Sequence, residues 1–214
     1  MKIKIPLTVP NVLTTIRLLA IPFMAVFIHA SEKQGDSGHF YNVLAFCFFV
    51  GIWITDAADG FIARRFNQVS EFGKIYDPFV DKLFQFTTAL MLFLNGRLPL
   101  WVVVFIVLKE AVMIAGGAYL LRKRRIVVHS KWYGKLSTVL FVLSLAAVFL
   151  LPFFADPQVT SVEALRSITN IIFIPPVLMS SFATICYGVT MIQDSSKLAD
   201  PDTEEHEKYN GTRV

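Results

Sequence analysis

The chain has 214 residues, of which 55% are hydrophobic and only 17% are charged. A soluble domain carries charge at about a quarter of its positions and has a smaller apolar share, so the composition excludes an ordinary soluble protein and indicates an integral membrane protein. The net charge of +4 does not indicate nucleic-acid binding, because basic residues that flank apolar spans set membrane orientation and contact anionic lipid. The expected partner is membrane lipid, with no nucleic acid.

Six apolar segments follow one another along the chain, each close to the ~20 residues that a helix needs to cross a bilayer. They cover residues 12–30, 40–63, 75–95, 99–121, 135–155 and 168–192. The first has no features of a cleavable signal peptide, so it is predicted to remain as a helix. The sequence therefore predicts an all-α integral membrane protein with six transmembrane helices, in one domain over residues 1–194. Residues 195–214 are polar, and we expect them to form a disordered tail.

The basic residues are divided unequally between the two sides of the predicted bundle. One side receives Lys2, Lys4, Arg64, Arg65, Lys74, residues 122–125 and Lys131, whereas the other receives little more than Lys33, Arg97 and Arg166. Because cytoplasmic loops are enriched in lysine and arginine, both termini are predicted to be cytoplasmic. An even number of spans agrees with this. We expect the protein in the cytoplasmic membrane.

Four aspartates interrupt the second and third apolar segments: Asp56, Asp59, Asp77 and Asp81. A carboxylate at membrane depth is costly, so it marks a functional site by default. Residues three or four apart share one face of a helix, and the short connection makes the two helices antiparallel neighbours. All four carboxylates are therefore expected to converge, facing the cytoplasm. Such oxygen ligands suit Mg²⁺ or Mn²⁺, and a pair of these ions can clamp a diphosphate.

Small and cationic residues surround the aspartates. Gly60 and Gly73 lack side chains, so a base or phosphate can approach the backbone there. Ala63 keeps the next turn small, and Arg64 can bind a phosphate or carboxylate bidentately. The complete spacing is Asp-x2-Asp-Gly-x2-Ala-Arg-x8-Gly-x3-Asp-x3-Asp, from residue 56 to residue 81 without a gap. This pattern resembles the signature of the CDP-alcohol phosphotransferases.

The resemblance implies an integral membrane enzyme with six helices that moves a phosphatidyl or similar group from a CDP-linked donor to an alcohol and releases CMP. It implies that Asp56, Asp59, Asp77 and Asp81 hold the metal ions. It places the CDP site at Asp59, Gly60, Ala63, Arg64, Gly73 and Asp77. It makes Asp81 the general base, and it implies a homodimer.

Two further segments are similar to those of bacterial phosphatidylglycerophosphate synthases. Residues 10–17 resemble their Pro-Asn-x-Leu-Thr-x-x-Arg element, and residues 132–138 resemble their Gly-Lys-x-x-Thr element. This likeness implies CDP-diacylglycerol as donor and glycerol 3-phosphate as acceptor. Asn11, Thr14 and Arg17 of the first element are compatible either with an interfacial capping cluster or with the lip of a substrate cavity.

The fourth segment departs from the glycerophosphate enzymes. They typically carry Arg-Glu and a second arginine two turns later, whereas this chain has Lys109-Glu110 and then an apolar and glycine-rich stretch. A phosphorylated acceptor needs cations, and Lys109, Arg122, Lys131 and Lys135 are the candidates for acceptor binding. The alternative is a cardiolipin synthase, with phosphatidylglycerol as acceptor.

Two classes other than a transferase are compatible with intramembrane carboxylates. One is a transporter that uses them as a proton or metal relay, and the other is a catalytically silent membrane scaffold that retains the motif. A calcium loop of the EF-hand type is disfavoured, because its ligands alternate in a polar loop. Release of CMP distinguishes the transferase from both classes.

Overall fold

The chain folds into six α-helices in the computed structural model, which describes residues 8–32, 36–65, 72–124, 132–154 and 162–197. Within these helices, the side chains at 36, 59–64, 74–75, 117–124, 162–163 and 191–197 are not described. The helices are α1 (Val9–Ala30), α2 (Asp36–Arg65), α3 (Gly73–Leu94), α4 (Leu100–Arg124), α5 (Trp132–Phe154) and α6 (Val162–Lys197). The predicted all-α class is confirmed.

The helices differ from the predicted spans mainly at their ends. Helix α2 begins at Asp36 and α6 at Val162, several residues before the apolar segments that start at residues 40 and 168. Helix α6 also continues to Lys197. The rest of the predicted tail lies outside the described residues, so the division at residue 194 stays a prediction. A run of apolar residues shows which part of a helix lies in the membrane. The polar turns at either end are helical too, but they are not apolar, so the sequence pattern misses them.

Four helical segments are long and apolar enough to cross a membrane, judged by length and composition. They are Val9–Ala30, Ser37–Ala58, Trp132–Phe154 and Ala164–Thr190. The chain is thus a multi-pass membrane protein. The count of six spans and the cytoplasmic position of both termini stay predictions.

The second half of helix α1 is apolar on both its faces. Ile21, Met24 and Ile28 are at most 3% exposed and face the protein, whereas Leu19 and Phe23 on the other side are about 60% exposed. An apolar residue that faces outward over several turns is unfavourable in water and favourable in lipid. The exposed face of α1 therefore fits a hydrocarbon environment.

The chain divides into two compact units. The first comprises Met1–Ile106 and Val142–Phe173. In it, α1 packs against both α2 and α3. The ring of Phe49 in α2 lies 5.4 Å from that of Phe84 and 5.3 Å from that of Phe149. These aromatic contacts join α2, α3 and α5 in the core of the unit.

The second unit comprises Val107–Phe141 and Ile174–Val214. The Tyr133 ring meets Tyr187 edge-on at 5.3 Å and Phe182 at 6.0 Å, which ties the start of α5 to α6. A Cβ atom added at Gly134 would lie 2.7 Å from the Tyr187 hydroxyl. A larger residue at this position would require the Tyr187 side chain to shift.

Candidate active site

The carboxylates of the first unit meet around α1. Asp56 lies in the last third of α2, and Asp77 and Asp81 lie one turn apart near the start of α3. Helix α1 packs against both of these helices. It presents Thr14 and Arg17, which share one face because they are three residues apart.

Arg17 joins aspartates from two different helices. Its Nη1 atom lies 2.5 Å from Asp56 Oδ1 and 2.6 Å from Asp81 Oδ1. Both contacts are charge-assisted hydrogen bonds, the strong kind. One guanidinium therefore brings the end of α2 and the start of α3 together.

Thr14 connects the third aspartate to the same arginine. Its hydroxyl donates to Asp77 Oδ1 at 2.7 Å and accepts from Arg17 Nη2 at 3.2 Å. The side chain is fully buried, so these bonds satisfy a hydroxyl that has no access to water. Asp56, Asp77 and Asp81 are thus linked through two residues of α1.

Exposure changes sharply across this cluster. Arg17 is 2% exposed, whereas the side chains of Asp56 and Asp81 are each 43% exposed. The positive charge lies at the bottom of the cluster, and the carboxylates lie around its open side. The exposed carboxylate oxygens are accessible to a ligand, while the buried guanidinium fixes their position.

The donor set of the cluster suits a hard cation, because carboxylate oxygens are the ligands of Mg²⁺ and Mn²⁺. Among the described side chains, no three acidic, histidine or cysteine residues lie close enough together to hold a metal ion. The fourth predicted ligand, Asp59, has its backbone in α2 and its side chain outside the described part. The metal assignment therefore remains a proposal.

The predicted CDP-binding residues are only partly described. Gly73 is buried at the first position of α3, and Asp77 lies one turn later. The side chains of Asp59, Ala63 and Arg64, together with Gly60, lie outside the described residues, although their backbone belongs to α2. Their role stays a prediction.

The predicted acceptor-binding cations belong to the second unit. Lys109 is 9% exposed, its Nζ lies 2.8 Å from Glu110 Oε1, and it stands 5.2 Å from the centre of the Phe141 ring. Lys135 is exposed in the first turn of α5. The Arg122 side chain and Lys131 lie outside the described residues. None of the four assignments is tested by these contacts.

Arg17 and Thr14 were not among the predicted site residues. The sequence was compatible with two roles for these residues, in a capping cluster or at the lip of a substrate cavity. In the structure, Thr14 and Arg17 both contact the aspartates. The signal that could have found them is the i, i+3 spacing of two polar residues in an apolar helix. Such residues need polar partners, and the aspartates are the obvious ones.

Together, the helices and this cluster define a class: a multi-pass membrane protein with aspartates of two helices gathered on a buried arginine. The sequence also matches the model of the CDP-alcohol phosphatidyltransferase family over residues 7–190. The chain belongs to this family of transferases.

Individual relatives carry more specific names. A probable phosphatidylglycerophosphate synthase of Mycobacterium tuberculosis (strain H37Rv) is 34% identical over 161 residues, 73% of this chain and 72% of the relative. A CDP-diacylglycerol–glycerol-3-phosphate 3-phosphatidyltransferase of Aquifex aeolicus is 30% identical over 183 residues, 85% of this chain and 94% of the relative. A putative cardiolipin synthase of Mycobacterium tuberculosis (strain H37Rv) is 34% identical over 145 residues, 67% of this chain and 65% of the relative.

Proposed function

We propose that this protein transfers a phosphatidyl group from CDP-diacylglycerol to glycerol 3-phosphate, forming phosphatidylglycerophosphate and releasing CMP. The observation that carries the proposal is the similarity to the Aquifex aeolicus relative, whose name states this reaction and 94% of which is matched. The unbroken aspartate signature supports it, since the reaction breaks a diphosphate and needs that charge to be neutralised.

In the proposed reaction, a hydroxyl oxygen of the acceptor attacks the lipid-bearing phosphorus of the donor. The new P–O bond forms as the bond from that phosphorus to the CMP oxygen breaks, and CMP leaves with the electron pair. Asp81 accepts the hydroxyl proton. It is suited to this because it lies on the open side of the cluster, 43% exposed, while Arg17 holds one of its oxygens.

Two ions of Mg²⁺ or Mn²⁺, held by Asp56, Asp59, Asp77 and Asp81, would neutralise the diphosphate and stabilise the departing oxygen. Arg17 and Thr14 would orient the aspartates, because their hydrogen bonds hold one oxygen of each described carboxylate. Groups behind a ligand that orient it in this way normally matter nearly as much as the ligand itself.

The donor site would be completed by Gly60, Ala63, Arg64 and Gly73. Glycine at the start of α3 lets a flat base or a phosphate come close to the helix, and Arg64 provides a bidentate phosphate contact. Lys109, Arg122, Lys131 and Lys135 remain the candidates for the phosphate of the acceptor. We further propose a homodimer in the cytoplasmic membrane, with this site on the cytoplasmic face.

A cardiolipin synthase is the second candidate, and two observations favour it. One is the relative that carries this name, at 34% identity. The other is Lys109, which replaces the arginine of glycerophosphate enzymes and forms an ion pair with Glu110. A lysine binds phosphate as a point charge and cannot form the bidentate pair that an arginine forms.

An assay in which the two acceptors compete identifies the one that the protein uses. Purified protein receives CDP-diacylglycerol, Mg²⁺ and equal concentrations of glycerol 3-phosphate and phosphatidylglycerol, and the lipid products are identified by mass. We expect phosphatidylglycerophosphate in large excess. A predominance of cardiolipin would make phosphatidylglycerol the acceptor, and no new lipid with either would contradict both assignments.

A further inference from the structure

The first unit contains a cavity at the end of its helices that lies away from the aspartates. Its volume is about 180 Å³, several times that of a water molecule. Asn95 and Arg97, in the turn between α3 and α4, form part of its lining. Asn95 follows Asp81 by 14 positions in the sequence, which is roughly 21 Å along α3. The cavity is therefore separate from the proposed active site.

The Arg97 guanidinium contacts only uncharged acceptors among the described residues. Nη1 donates to Asn42 Oδ1 at 2.5 Å, and Nη2 donates to the Ser31 carbonyl at 3.2 Å. Burial lowers the pKa of Arg97, and the charge of Glu32 partly opposes this. A partly buried cation without a carboxylate in contact is suited to an anionic ligand.

Asn95 holds the wall that carries Arg97 in place. Its Nδ2 donates to the Ile28 carbonyl at the end of α1. Its Oδ1 is buried, so a molecule in the cavity does not reach it. The ligand-binding chemistry of this turn therefore comes from Arg97.

The remaining lining is apolar. Leu151 and Pro152 of α5 and Leu165 of α6 form this side of the cavity. The neighbouring Phe153 and Ile168 are apolar and more than 40% exposed, so they lie on the surface that meets lipid. A molecule bound here would contact hydrocarbon on one side and a cation on another.

We propose that this cavity binds the headgroup of an anionic phospholipid. The phosphate would pair with Arg97, and the chain region would lie against Leu165. Under the predicted orientation, this lipid belongs to the leaflet opposite the aspartate site. The inference does not depend on catalysis, so it can fail while the transferase activity stands.

The test is the thermal stability of the full chain in neutral detergent with added short-chain phosphatidylglycerol, phosphatidylcholine or inorganic phosphate. We expect phosphatidylglycerol to raise the melting temperature by roughly 5 °C at saturation. Phosphatidylcholine and inorganic phosphate should have little effect. An equal rise with phosphatidylcholine would show that the cavity does not select an anionic lipid. An equal rise with inorganic phosphate would show that the ligand is not a lipid.

Cavity-filling variants locate the binding. Leu165→Trp should abolish the response to phosphatidylglycerol, whereas Leu178→Trp should keep it, because Leu178 lies on the same helix and is 64% exposed. Retention of the full response in Leu165→Trp would place the lipid elsewhere. Should Leu165→Trp fail to fold, Arg97→Lys and Arg97→Gln replace it. The lysine variant should keep the response and the glutamine variant should lose it, and equal behaviour of the two would refute the proposed ion pair.

Discussion

Arg17 should be energetically coupled to Asp56 in the folded protein. The perturbation is a double-mutant cycle of Arg17→Met, Asp56→Asn and the combined variant. A charge-assisted hydrogen bond is worth about 1.5–3 kcal/mol when it is protected from water. Arg17 is 2% exposed, but Asp56 is 43% exposed, and solvent weakens the contact. We therefore expect a coupling of about 1–2 kcal/mol.

The single substitution Arg17→Met should cost more than this coupling. It removes the contacts to Asp56 and Asp81 together and leaves two carboxylates close to each other without their common cation. A loss of about 2–4 kcal/mol in the free energy of unfolding follows. The combined variant should lose less than the sum of the two single variants, because the Asp56 contact can be lost only once.

The assay is unfolding by SDS in mixed micelles, followed by tryptophan fluorescence. Thr55→Val is the matched control, since Thr55 precedes Asp56 in α2 and donates to the Gly51 carbonyl of its own helix. Its effect should add to that of Arg17→Met. If Arg17→Met and Asp56→Asn also add within about 0.5 kcal/mol, the claim that Arg17 holds Asp56 is wrong.

Three other substitutions test separate parts of the structure. Asp81→Asn should leave binding of CDP-diacylglycerol largely intact and stop CMP release; loss of donor binding as well would leave Asp81 as a metal ligand only and contradict its role as the base. Lys135→Ala should raise the KM for the acceptor and leave that for the donor unchanged, and an equal effect on both would contradict acceptor binding. Gly134→Ala should destabilise the protein by about 1–3 kcal/mol because of Tyr187, and Tyr187→Phe should relieve much of this. Gly188→Ala is its control, with no atom within 4 Å of the added methyl group, and an equal loss there would show that the contact is not the cause.

The sequence was sufficient to predict the helices and the proximity of Asp56 to Asp81. The convergence of all four carboxylates stays a prediction, because the Asp59 side chain lies outside the described residues. Apolar runs near the length of a membrane span leave little choice but a helix, and a short connection brings Asp56 near Asp81. Both features depend on the number of residues in a segment or between two residues, which can be read from the sequence.

The part played by α1 was harder to predict. Whether Arg17 reaches Asp56 depends on the rotation of α1 about its axis and on how α1 packs against α2 and α3. Several rotations are compatible with a helix whose second half is apolar on both faces. The polar residues Thr14 and Arg17 limited the possible rotations of α1 but did not select one. The contacts of Arg97 and Asn95 were beyond prediction for the same reason, since they join three separate segments of the chain.

Release of CMP from CDP-diacylglycerol tests the central claim most directly. Purified protein is incubated with the donor, glycerol 3-phosphate and Mg²⁺, beside Asp56→Asn and beside the same mixture with a chelator. We predict CMP and phosphatidylglycerophosphate in equal amounts from the native protein alone, with Asp56→Asn folded but inactive. CMP release that persists in Asp56→Asn or in the chelator would contradict the metal-bearing aspartate site, and its absence with every acceptor tried would contradict the transferase.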